Sequence, residues 1–91
     1  MSVDNYMKLP YHICFIREVA ETDGAFDGYS CVVLELSGCL SQGETLDEAM
    51  AAILDAMRIW ITVELEDGHR IPSPYDYKEV LKFNELREAA P

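Results

Sequence analysis

The stretch from Leu36 to Ala49, LSGCLSQGETLDEA, constrains the architecture more than any other part of the chain. Gly38 and Gly43 bracket a short extended piece, Cys39-Leu40-Ser41-Gln42. Glycine at each end permits backbone angles that a Cβ would forbid. Thr45 then stands at an N-cap position with Glu48 three residues on. That is the capping-box spacing, in which each side chain satisfies an orphan amide of the other residue. The segment reads as a strand, a glycine-punctuated turn and a capped helix start, and it carries no obvious chemistry.

The helix that begins there runs from Leu46 to about Glu66, roughly 30 Å at 1.5 Å per residue. Leu46, Ala49, Met50, Ile53, Met57, Trp60, Ile61 and Glu64 recur at spacings of three and four, an apolar stripe that ends polar. Asp47, Ala51, Asp55, Arg58 and Thr62 trace the outer face. Asp67-Gly68 stops the helix, and Ile71-Pro72-Ser73-Pro74 bars its resumption. Upstream, Tyr11 to Val19 alternates and is rich in β-branched and aromatic residues, as a strand would be. Ala20 to Gly28 is a turn region in which Asp23-Gly24 is the stronger hairpin signal. Tyr29 to Leu36 is a second strand, with Tyr29, Cys31 and Val33 on one face and Val32, Leu34 and Leu36 on the other. Apolar residues on both faces predict a central strand buried on both sides.

The expected fold is therefore α+β: a three-stranded antiparallel sheet with one long helix packed on one face. A short extra element is expected in the tail. The organisation expected is an N-terminal extension over 1–10, one domain over 11–74, and a C-terminal tail over 75–91. One helix covers only one face of the sheet, so a second subunit is expected on the other, making the chain a homo-oligomer.

The 91 residues make one domain, and 49% are hydrophobic, enough for a small core that gains from association. No apolar run reaches the roughly 20 residues that span a bilayer. The N-terminus, MSVDNYMKLP, lacks the basic-then-apolar order of a signal peptide. The cysteines Cys14, Cys31 and Cys39 form no CxxC pair, and a cytoplasmic, reduced protein is expected. The net charge is −10. All of it lies between Arg17 and Asp67, where twelve acids face two bases. Such a surface repels nucleic-acid phosphates and favours a basic partner. Acidity that merely keeps a small protein soluble is the alternative.

In this order, the strand from Tyr11, the Asp23-Gly24 turn, Ser37-Gly38-Cys39, Ser41-Gln42-Gly43, Thr45, Glu48-Ala49, Trp60, Glu66-Asp67-Gly68 and Ile71-Pro72 resemble the HicB-like antitoxin family, over roughly Tyr11 to Pro74. The resemblance implies a partial ribonuclease-H-like β-β-β-α fold. It implies structural roles for Gly38, Cys39, Gly43, Thr45, Glu48, Trp60, Gly68 and Pro72. The function it implies is the masking of a small, basic, HicA-type ribonuclease that cleaves messenger RNA. Many longer members add a C-terminal DNA-binding module. Tyr75 to Pro91 is too short for one, so direct nucleic-acid binding is not expected. A stand-alone oligomeric module with a structural or binding role and no toxin is the alternative.

Candidate catalytic groups are few. The strand and hairpin acids are Glu18, Glu35, Asp23 and Asp27, and Glu35 falls in the apolar row of Val33 with no second strand acid to share a metal. His12 and His69 lack zinc-ligand spacing with the cysteines, which are expected to pack as small hydrophobes. Neither Cys39 nor Ser41 has an adjacent base. No catalytic, cofactor-binding or metal residue is assigned, and the protein is expected not to be an enzyme. One local conflict stands out: Glu64, Glu66 and Asp67 crowd the negative end of the helix dipole, each at about 0.3–1 kcal/mol at low salt. Together with Asp47 and Asp55 they are the expected surface for a basic protein partner. Local neutralisation by His69 and Arg70 is the competing explanation.

Overall fold

The computed structural model describes residues 1–75. Two helices and three strands follow one another as α1 (Val3–Met7), β1 (Ile13–Val19), β2 (Phe26–Val33), β3 (Leu40–Gly43) and α2 (Leu46–Glu66). The strands form one antiparallel sheet in the order β1-β2-β3. The α+β, β-β-β-α architecture expected from the sequence is the one observed. The tail element expected beyond Tyr75 lies outside the described residues.

At the β1–β2 hairpin the chain reverses at Asp23-Gly24, as expected. Ala20 and Ala25 close the loop through a 2.8 Å backbone hydrogen bond, and Asp23 Oδ1 accepts from the Ala25 amide at 2.9 Å. The local carboxylate holds the turn in the manner usual for Asp. A register shift between Arg17 and Val19 marks a bulge before the turn.

The second strand begins and ends three residues earlier than the Tyr29–Leu36 run predicted. Phe26 and Asp27 pair back onto β1, and Leu34 to Gly38 form a tight turn. The Leu36 amide donates to Val33 O and the Cys39 amide to Leu36 O, so the chain folds over itself before entering β3. Leu36 is fully buried in this turn. A buried apolar run is thus a strand followed by a buried turn, which apolar character alone does not distinguish.

The core lies between the sheet and α2. Cys31 and Val33 of β2, Leu36 and Cys39 of the turn, Ala49, Ile53, Met57 and Ile61 of α2, and Ile71 beyond it are all buried. The helix contributes at a spacing of four, so its buried stripe is narrower than the predicted one. Leu46 and Met50 are 50% and 40% exposed. Trp60 borders the core and its Nε1–H donates to Ser37 O at 3.0 Å, tying the turn to the helix.

At the helix start Thr45 Oγ1 accepts from the Glu48 amide at 3.1 Å, as the capping spacing predicts. The reciprocal bond differs: Glu48 Oε2 accepts from Glu44, not Thr45, at 3.0 Å. Gly43 is required by proximity and not by backbone angle. A Cβ there would sit 2.4 Å from Ala49 N and 2.8 Å from Glu48 C. The strand can touch the helix start only because nothing projects from this residue.

The far end of α2 closes with a Schellman motif. Gly68 adopts φ +74°, its amide donates to Leu65 O, and the His69 amide donates to Glu64 O. The chain then returns along the start of β1, where the Tyr11 hydroxyl donates to Pro72 O at 2.7 Å.

The N-terminal segment, expected as an extension, carries a helix of its own. Ser2 Oγ caps it by accepting from the Asn5 amide. Val3, Tyr6 and Met7, at helical spacing, pack against the core. Arg58 Nη1 donates to Asp4 Oδ1 at 2.8 Å across the α1–α2 contact, which holds the Asp4 carboxyl below its usual range.

Candidate interaction surface

Apart from Asp4, Glu21 and the turn residue Asp23, the described carboxylates fall into four physical settings. Glu35, expected in a strand row, sits in the Leu34–Gly38 turn with its side chain fully buried. Both its oxygens accept from the His12 backbone amide, at 2.9 and 3.1 Å, and Oε2 also lies 2.9 Å from His12 Nδ1. β2 has turned away beyond Val33, so the carboxylate takes the donor that a continuing strand would have paired. Glu35 is a structural clasp between the start of β1 and the turn.

The second setting is the C-terminal end of α2. Glu64 Oε2 lies 2.9 Å from His69 Nδ1, while Glu66 and Asp67 are exposed. His69 bonds Glu64 through both its backbone and its ring, a polar counterpart of the apolar contact that often accompanies a Schellman motif. Glu64 is therefore locally engaged, whereas Glu66 and Asp67 face solvent.

The third setting is the outer face of α2, where Asp47 and Asp55 are exposed. Asp47 and Glu66 stand nineteen residues apart on one helix, about 28 Å along its axis. The five acids singled out in the sequence are not one site. They are a strip running the length of the helix.

The fourth setting was not legible from spacing. Glu18 of β1, Asp27 of β2, Glu44 of the β3–α2 connection and Glu48 of α2 line a cleft of about 750 Å³ at the hairpin end of the sheet, with Ser30 and Gln42 in its wall. Ser30 Oγ donates to Glu18 Oε1 at 2.6 Å. These carboxylates come from four separate elements, brought together by the pairing of β2 with both its neighbours.

Next to this cleft is the sheet face that α2 does not cover. The register places Cys14, Val32 and Leu40 in one row across the three strands and Ile16, Ser30 and Gln42 in the next. Ile16 is 47% and Leu40 65% exposed, Cys14 is exposed, and Val32 is half-buried. Cys14 thus differs from the packed thiol expected, while Cys31 and Cys39 are buried as expected. Burial pushes the Cys31 and Cys39 thiols up, away from the thiolate that nucleophilic chemistry needs.

Among the described residues no group of three or more His, Cys, Asp or Glu is arranged to hold a metal ion. No helix among them is long and apolar enough to cross a membrane.

Residues 15–90 match the model of a protein family described as the HicB_like antitoxin of bacterial toxin-antitoxin system. An uncharacterized 14.9 kDa protein from the rep-hol intergenic region of Haemophilus phage HP1 (strain HP1c1) is 32% identical over 62 residues, 68% of this chain. Those residues are 47% of the phage protein, so the chain spans about half the length of this curated relative. No solved structure matches the chain.

Proposed function

Because this chain belongs to the HicB-like antitoxin family, we propose that it is a non-catalytic antitoxin that binds and masks a small, basic, HicA-type ribonuclease. The observation that carries this reading is the charge distribution: the whole −10 lies between Arg17 and Asp67. That span runs from the end of β1 through β2 and β3 to the end of α2 and includes every residue lining the cleft. A body of this charge attracts a basic protein and, once bound, repels the RNA phosphates that the protein would otherwise engage.

The exposed acids of α2, Asp47, Asp55, Glu66 and Asp67, with Glu64 beside them, serve the approach of that partner. Exposed charges act over about 8–10 Å at physiological salt and mainly raise association rates. The cytoplasm is the compartment in which such a toxin meets messenger RNA.

Co-expression with the product of a small, basic open reading frame beside the gene tests the proposal. Rescue of growth, a purified complex and loss of RNA cleavage in that complex are expected. Failure to bind or inhibit any such neighbour, together with a stable homo-oligomer, would favour the stand-alone module instead. RNA cleavage by the pure protein with magnesium would refute the non-catalytic assignment.

A further inference from the structure

We infer that the uncovered sheet face, with the acidic cleft at its end, is the contact surface for a basic protein segment that presents apolar and cationic side chains together. Only the identity of the partner as a toxin rests on the antitoxin reading. The surface itself follows from geometry. Cys14, Val32 and Leu40 form an apolar row across all three strands, and Ile16 extends it toward the hairpin end. Beyond Ile16 the face becomes anionic at Glu18, and the cleft adds Asp27, Glu44 and Glu48. Glu18 adjoins the apolar row one side-chain repeat beyond Ile16, about 7 Å away, and the cleft continues from it around the hairpin end.

Charge and area select the occupant. With strands about 4.8 Å apart and same-face side chains about 6.6 Å apart, the four apolar positions cover roughly 130 Å². A stable homodimer needs about 800 Å² per partner, so a second copy would have to extend over the acidic end. Neither the strand arginine nor the exposed helix arginine supplies it a countercharge on this face. Arg17, neighbour of Ile16 and therefore on the opposite face, lies over the Phe26 ring, and Arg58 is paired with Asp4. A like copy would also bring a second net charge of −10. A cationic partner meets both halves of the surface: its apolar side chains cover Val32 and Leu40, and its Lys or Arg side chains enter the cleft. In this arrangement the sheet face governs how long the complex lasts, whereas the α2 acids govern how fast it forms.

The test uses the full chain, labelled with ¹⁵N, and three synthetic hexapeptides of alternating Arg-Leu, Arg-Ser and Glu-Leu. At low salt the Arg-Leu peptide is expected to shift the amides of Ile16, Val32, Leu40 and Gln42 saturably. The other two peptides should bind at least tenfold more weakly. Leu40→Ser, at an exposed position, and Glu18→Gln with Glu44→Gln should each weaken the Arg-Leu peptide about tenfold while leaving the helical signal intact. No saturable shift, equal binding of the Arg-Ser peptide, or shifts centred on Asp55 and Glu66 would overturn the assignment. So would a homodimer in light scattering that Leu40→Ser dissociates. A toxin arm separates the two readings. If the wild type neutralises the basic toxin and Leu40→Ser does so equally well, the surface assignment falls and the antitoxin reading stands. If the wild type neutralises no toxin, the antitoxin reading falls and the peptide result alone decides the surface.

Discussion

Replacing Glu35 tests whether one buried carboxylate holds the start of β1 in register. Its side chain has no exposed surface, and both oxygens are occupied by His12, at 2.9 and 3.1 Å from the amide and 2.9 Å from the ring. Glu35→Ala removes the acceptor and strands the half-buried amide. A buried donor left without a partner costs about 1–3 kcal/mol, and the hole left by the side chain adds to that. The sum is about 2–4 kcal/mol. For a domain of this size each kcal/mol moves Tm by about 4–8 °C, so a fall of at least about 8 °C is expected. Glu35→Gln keeps the shape and one acceptor oxygen but places an NH₂ where the other oxygen stood beside the His12 amide and ring, so an intermediate loss of about 1–2 kcal/mol is expected. His12→Ala keeps the amide and removes only the ring contact, so a double-mutant cycle with Glu35→Ala separates the two contributions. Thermal unfolding followed by circular dichroism reads all three. A shift below about 2 °C for Glu35→Ala would refute the clasp.

Gly43→Ala places a Cβ against the backbone of Glu48 and Ala49, where no flexible side chain can yield, and a loss of about 2–3 kcal/mol is expected in urea unfolding; an unchanged midpoint would contradict it. Tyr11 is pushed up to about 12 by burial first, then by Tyr6 and the Glu35 charge, and its hydroxyl donates to Pro72 O. The fold therefore prefers the neutral phenol: its contribution is complete below about pH 10 and is lost as pH rises toward 12. Tm should fall between pH 10 and 12 more steeply for the wild type than for Tyr11→Phe, and parallel curves would rule this out. Asp55→Asn with Glu66→Gln should slow association with the basic toxin several-fold at low salt, with little change in dissociation, and Glu66→Gln alone should raise stability by about 0.3–1 kcal/mol by relieving the helix end. Stopped-flow binding at two salt concentrations and a thermal melt measure the pair; a changed dissociation rate would count against pure steering.

Much of the fold is legible because its signals are local. The hairpin is written in Asp23-Gly24, the helix start in Thr45 and Glu48, and the helix end in Asp67-Gly68. Each is a short-range hydrogen-bonding pattern that the sequence spells directly. The limits of β2 are not written that way. Leu34 to Leu36 looks like a continuing strand because burial in a turn selects the same apolar residues as burial in a sheet. Five residues were too few for α1 to show a helical period, although Ser2 before Asp4 and Asn5 is a capping signal that could have found it. Gly43 was legible as a punctuation mark, but its reason, contact with the backbone of α2, exists only in three dimensions. The acids of α2 were visible through their helical spacing. The cleft was not, because Glu18, Asp27, Glu44 and Glu48 become neighbours only when β2 pairs with β1 and β3.

The placement of charge follows from the smallness of the core. Among the described residues nine buried apolar side chains form the core between the sheet and α2, and a chain of this length buries a smaller share of its surface than a larger domain would. Carboxylates outside that core cost little if they stay hydrated. The one carboxylate drawn inside is held by three contacts from a single residue. The acids of α2 and of the cleft instead lie on the helix exterior or around an open cleft, where water and eventually a cation can reach them. Among the described residues the second sheet face stays uncovered: Leu40 and Ile16 are exposed because no described element reaches them. An apolar row exposed beside anions that carry no salt bridge among the described residues gains little from a second copy of itself. It gains from a partner that brings the opposite charge and a hydrophobic side chain in the same approach, because each contact then excludes water from the other and strengthens it.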